Sequence, residues 1–166
     1  MNSTNIVYHG EVEINLQQKR YNKRNHGTIN LFHLFARILT QETFNSYNLP
    51  GYLMVYNDTP TNIDALPTTA EHKDKQILNK YLSISSYSDH DDNDRYFAVF
   101  TSMLTVAHLI ANNQGYDHLT LALISGDQVN ILATIELDIS IYDLISSGNQ
   151  ATIKWTMNFN NSDSSM

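Results

Sequence analysis

The sequence predicts a mainly β domain: an antiparallel β-sandwich, jelly-roll-like, with one long helix after the first strand or strands, packed against a sheet. Three observations point there. Apolar residues alternate with polar ones in several short runs, as a half-buried strand requires. Turn-forming residues separate those runs. One early stretch, TINLFHLFARILT from Thr28 to Thr40, is apolar with helical spacing. A single domain over residues 1–160 is expected, with helix 28–40 inserted and a long loop over 59–80, followed by a polar tail at 161–166. A chain of 166 residues suffices for one real core and is short for two.

The first strand is expected over Glu11–Gln17, where Val12, Ile14 and Leu16 alternate with Glu11, Glu13, Asn15 and Gln17. The following run, Lys19–Gly27, holds four of the ten basic residues. It fits a solvated turn or short partner strand, and alternatively a contact patch for an acidic partner. In the helix, about 100° per residue places Asn30, His33, Arg37 and Thr40 on one narrow polar stripe. Ile29, Leu31, Phe32, Leu34, Phe35, Ala36, Ile38 and Leu39 surround it, so burial on most sides is expected. Thr28 should accept hydrogen bonds from the first-turn amides.

In Asn48–Asp58, Pro50 and Gly51 precede YLMVY, a short run that suits a strand covered on both faces. Thr59–Lys80 turns polar and reads as a surface excursion with room for one short helical turn. Tyr81–Ser86 is a short strand candidate. The acidic run Ser88–Arg95 has two readings, a solvated turn and a calcium loop. Asp89, Asp91 and Asn93 have calcium-loop spacing, but Asp94 stands where glycine is required and no glutamate closes the motif. Tyr96–Gly115 suits a long bent strand or two broken ones in its Val-, Phe- and Thr-rich first half, while Met103–Ile110 also suits a helix. His108 reads as a core histidine. Leu119–Leu123 and Ile131–Ile139, joined through Ser125-Gly126-Asp127-Gln128, form a hairpin. IYDLISSGNQ offers a helical turn. The last strand puts Ala151, Ile153, Trp155, Met157 and Phe159 on its dry face.

Charge and motifs narrow the function classes. Ten Lys and Arg against 17 Asp and Glu give net −7, which argues against general or specific nucleic-acid binding. Without cysteine there is no disulfide, thiol nucleophile or thiolate metal site. No apolar run approaches the roughly 20 residues of a membrane span, and MNSTNIVYHG lacks the pattern of a signal peptide. No two of His9, His26, His33, His72, His90, His108 and His118 stand in an HxH or HExxH spacing. Ser125, in ISGDQ, is not a GxSxG elbow, and no phosphate-binding glycine loop occurs. The expectation is therefore a non-enzyme with no catalytic, cofactor-binding or metal-binding residue and no cofactor. His33 and Arg37, one turn apart, could bind an anion or meet solvent or a neighbouring carboxylate.

The order of a short N-terminal strand, HGTINLFHLFARILT, PGYLMVYND, a loop-rich middle and LATIELDISIYDLISSGNQATIKWTMNF resembles small virion proteins of tailed bacteriophages. The resemblance lies in the GT-x-N-x-F entry to the helix and the late W-T-x-x-F strand. It implies a structural protein of the collar, tail or head-surface apparatus. Such a protein works as a symmetric homo-oligomer with other virion proteins (portal, collar, tail or capsid), assembled in host cytoplasm and carried in the virion. The alternative is an acidic binding or inhibitor module that masks a host protein.

Overall fold

In a computed structural model, residues 6–15, 20–40, 49–59, 66–77, 81–91, 96–105, 119–137 and 150–161 are described. Nine strands lie in this order: β1 (Ile6–Asn15), β2 (Arg20–Gly27), β3 (Pro50–Tyr56), β4 (Leu82–Ser83), β5 (Ser85–His90), β6 (Tyr96–Thr105), β7 (Leu119–Ser125), β8 (Ile131–Leu137) and β9 (Gln150–Asn161). Helix α1 (Ile29–Leu39) follows β2, and a 3-10 helix (Thr69–Lys75) lies between β3 and β4.

Every pairing is antiparallel, and all nine strands join one sheet in the order β4-β3-β7-β8-β2-β1-β9-β6-β5. The two end strands, β4 and β5, are consecutive in the chain, separated by Ile84 alone. One segment therefore pairs with β3 through Leu82 and Ser83 and with β6 from Ser85 onward. The Ser102 hydroxyl donates to the Ser83 carbonyl at 3.0 Å, fastening β6 to β4. The sheet thus curls nearly into a barrel. At the opposite corner β2 pairs with β1 along Arg20–Asn25 and with β8 only at His26 and Gly27. Strands that change partner at bends make the corners of such sheets. That is why two separate sandwich sheets are not what forms: β2 and the β4–β5 segment carry the hydrogen bonding around both corners.

β9 forms because its alternation works. Ala151, Ile153, Trp155 and Met157 are buried while Thr152, Lys154, Thr156 and Asn158 stay half-buried. Trp155 lies between Val12 of β1 and Phe100 of β6 in the register, at the centre of the main core. Burying each such aliphatic or aromatic side chain contributes about 1.5–3 kcal/mol. In β3, Leu53 and Val55 face this core, while Met54 and Tyr56 join Ala122, Ile124 and Ile131 in a second cluster. YLMVY is thus covered on both faces, as expected. Gly51 is needed where β3 meets the β7–β8 turn: a Cβ there would lie 2.7 Å from the Gly126 Cα.

Several expectations are corrected. The helix is not long: 11 residues, about 16 Å at 1.5 Å per residue. Nor is it buried on most sides: Leu31 and Leu34 are buried and Ile29 and Phe35 half-buried, while Phe32 and Ile38 are 52% and 44% exposed. Helical spacing reports where apolar residues sit, not whether anything covers them. The basic run takes the partner-strand form among its expected readings, as β2, whereas the first strand begins at Ile6 rather than Glu11. Asp89 and His90, read as part of a turn, end β5, a strand exposed at every position. The hairpin strands β7 and β8 are buried on both faces rather than one. The excursion after β3 holds the expected helical turn, yet Pro67, Thr69, His72 and Ile77 are buried under it. Residues 106–118, 138–149 and 162–166, which include His108, the IYDLISSGN segment and most of the tail, lie outside the described residues.

Candidate functional site

A cleft of about 330 Å³ lies between α1, the segment 66–68 and the start of β8. Its inner wall is fixed by residues at the entry to α1. The Thr28 amide donates to the Leu132 carbonyl at 2.8 Å, and the Thr28 hydroxyl donates to the Ile131 carbonyl at 2.6 Å. Thr28 therefore makes no side-chain cap, contrary to expectation. It instead satisfies strand carbonyls that β2, having diverged from β8, no longer reaches. Asn30, also buried, donates to the Pro67 and Ile131 carbonyls at 2.8 and 3.2 Å.

The outer wall is a strap. The Thr69 amide donates to the Val129 carbonyl at 2.9 Å, its hydroxyl to the Gln128 carbonyl at 2.7 Å, and Thr68 bridges to Asn130. The Thr68 amide donates to Glu71 at 2.9 Å, half of a capping box that starts the 3-10 helix. Hydrogen bonds thus hold both walls of the cleft. Leu34, Leu66 and Leu132 give it an apolar lining, and His33 and Arg37 bring cationic capacity to the side formed by α1. The two residues singled out from the sequence thus share one concavity, opposite Thr68 and Asn130, which sequence reasoning missed. An arrangement of this kind suits a carboxylate carried on an apolar or aromatic segment.

The other candidates have structural roles. Ser125 is fully buried and bonds Asp127 within the β7–β8 turn while accepting from the Asn130 amide at 3.0 Å, so it braces the turn. Gln128 takes the left-handed conformation that this turn needs, with φ 64°. His72, which no sequence signal marked, stacks on buried Tyr56 with ring centroids 4.2 Å apart, and its Nδ1 lies 3.5 Å from Asp58. The Thr59 amide holds the Asp58 carboxyl below its ordinary range, with His72 adding to the effect against the opposing cost of burial. The trio pins the strap to the end of β3. His26, His33 and His90 are exposed.

Asp89 sits on a strand, accepts from the His90 amide at 2.8 Å, and is joined at the hairpin by the His90–Tyr96 ring stack. Among the described residues, no group of three or more His, Asp or Glu could hold a metal ion. Asp92, Asn93 and Asp94 lie outside those residues. No helix among the described residues is long and apolar enough to cross a membrane.

No family model, curated protein or solved structure matches this chain. The cleft and the surfaces around it therefore carry the functional argument.

Proposed function

We propose that this chain is a structural subunit of a bacteriophage particle, in its collar, tail or head-surface apparatus, acting as a symmetric homo-oligomer rather than as an enzyme. The observation that carries the reading is the uncovered apolar surface at α1 and the cleft. Phe32, Ile38, Leu66 and Val129 are 52%, 44%, 57% and 49% exposed. Single exposed apolar residues are ordinary, but several around a preformed cleft mark a surface built to be covered. The virion setting comes from the resemblance of HGTINLFHLFARILT and ATIKWTMNF to small tailed-phage proteins. It accords with a surface whose purpose is contact with further copies and neighbouring virion proteins.

Size-exclusion chromatography with light scattering on the full chain tests the reading. A defined multimer is expected, and Phe32→Asp with Ile38→Asp should shift it toward monomer while leaving the thermal unfolding midpoint nearly unchanged. A chain that stays monomeric at every concentration and ignores candidate virion partners overturns it.

A further inference from the structure

We infer that the α1 cleft of one copy receives the β5–β6 hairpin of a second copy. This rests on the reading of the chain as a self-assembling subunit, and it names the two surfaces that meet.

The hairpin is the counterpart of the cleft in charge and in apolar character. β5 is exposed at all six positions, pairs only with β6 among the described residues, and carries no lysine or proline to protect its edge. Near its end Asp89 and Tyr87, the latter 53% exposed, share one face, Tyr96, 59% exposed, stacks on His90 on the other, and Asp91 follows directly. The cleft presents Arg37 and His33 beside Leu34, Leu66 and Leu132, with the exposed Phe32 next to it on α1. An acidic, aromatic projection thus matches a cationic, apolar hollow. The face of the hairpin that carries Ser88, His90, Tyr96 and Ala98 holds a shallow groove of about 310 Å³, which gives the neighbour's Phe32 a place to lodge.

Placement favours a second copy over an intramolecular contact. The antiparallel registers put the β7–β8 turn, the start of β3 and the tip of the β5–β6 pair at the same end of the barrel. β5–β6 and β8 are nonetheless far apart in strand order, separated by β9, β1 and β2. Two different patches on one subunit give a head-to-tail contact, which closes into a ring when the rotation between copies permits.

The experiment uses three full-length chains in sedimentation velocity: wild type, Arg37→Glu, and Asp89→Lys with Asp91→Lys. Arg37 and Asp89 are exposed and Asp91 is half-buried, and thermal unfolding verifies that each variant folds. Each variant alone should show about a tenfold or greater rise in apparent Kd for self-association. Mixed, they should form heterodimers that grow on into alternating assemblies, because the intact hairpin of one variant meets the intact cleft of the other and the remaining hairpin and cleft carry exchanged charges. Combining all three substitutions in one chain should recover assembly through exchanged charges. If both variants assemble like wild type, or if the mixture yields no heterodimer, the hairpin–cleft contact is wrong while self-assembly stands. A monomeric wild type removes both.

Discussion

The two halves of the sheet differ in what covers them. In the β3–β7–β8 half, residues on successive sides of a strand are both buried: Leu121 and Leu123 face the main core, and Ala122 and Ile124 face a second cluster. In the β1–β9–β6 half, inner positions such as Ile153 and Trp155 are buried while their neighbours stay partly wet. The difference follows from what comes after β3. The strap lies over the outer face of the first half, where His72 stacks on Tyr56, while Leu31 and Leu34 of α1 pack into the main core. Nothing among the described residues does the same for β9. A near-barrel can therefore place a preformed cleft on one flank and leave an exposed hairpin on the other.

The largest expected effect tests this contrast by scanning neighbouring positions. Trp155→Ala should cost about 3–5 kcal/mol, and Thr156→Ala within about 0.5 kcal/mol, because only the first opens a cavity. In β7, by contrast, Leu121→Ala and Ile124→Ala point to opposite faces yet should each cost about 2–5 kcal/mol. Urea unfolding of the four variants measures it. If Ile124→Ala proved as mild as Thr156→Ala, the second buried layer would be only a surface covering.

A smaller effect distinguishes buried hydroxyls within the doubly covered half. Thr120 and Thr134 are both fully buried. The Thr120 hydroxyl donates to the Asp58 carbonyl at 2.6 Å, whereas the Thr134 hydroxyl has no hydrogen-bond partner among the described residues. Thr120→Val should therefore destabilise by about 1–3 kcal/mol, because it leaves a carbonyl short of its donor. Thr134→Val should be neutral or stabilising by up to about 1 kcal/mol, because it removes a desolvated group that gains nothing. Equal losses in the two variants would show that Thr134 has a partner after all.

The same contrast explains which parts of the structure were legible in the sequence. β9 is plain because one wet face forces strict alternation from Ala151 to Asn158. β7 and β8 also show alternation, but Thr120, Ala122 and Thr134 are small enough to bury, so the pattern could not reveal a second covered face. β5 was hidden because SSYSDH has no apolar period, and its strand form comes from pairing with β6. His33 and Arg37 could be paired by helical spacing alone. Their opposite wall could not, since Asn30 reaches Pro67 across 37 positions and Ile131 across 101. Such contacts depend on the closed sheet, not on any local pattern.

The smallest expected effect is on acid stability, and it compares one carboxylate from each half. Glu13, on β1, is held below its ordinary range chiefly by the Asn15 side chain and further by Arg20, against the opposing cost of burial. Asp58, after β3, is held low first by the Thr59 amide and then by His72. A carboxyl with a depressed folded value stabilises the fold at pH above its unfolded value, about 4. That stabilisation disappears as pH falls through the lower folded value. Urea midpoints should therefore be flat with respect to these two groups from pH 7 to about 5 and decline below about 4. Glu13→Gln and Asp58→Asn should each flatten part of that decline. Because Asp58 anchors the strap through His72 while Glu13 braces a solvent-facing hairpin, only Asp58→Asn should also increase proteolysis within the 66–77 segment at neutral pH. If Glu13→Gln opened that segment equally, the strap would be held by the sheet as a whole and not by its own anchor.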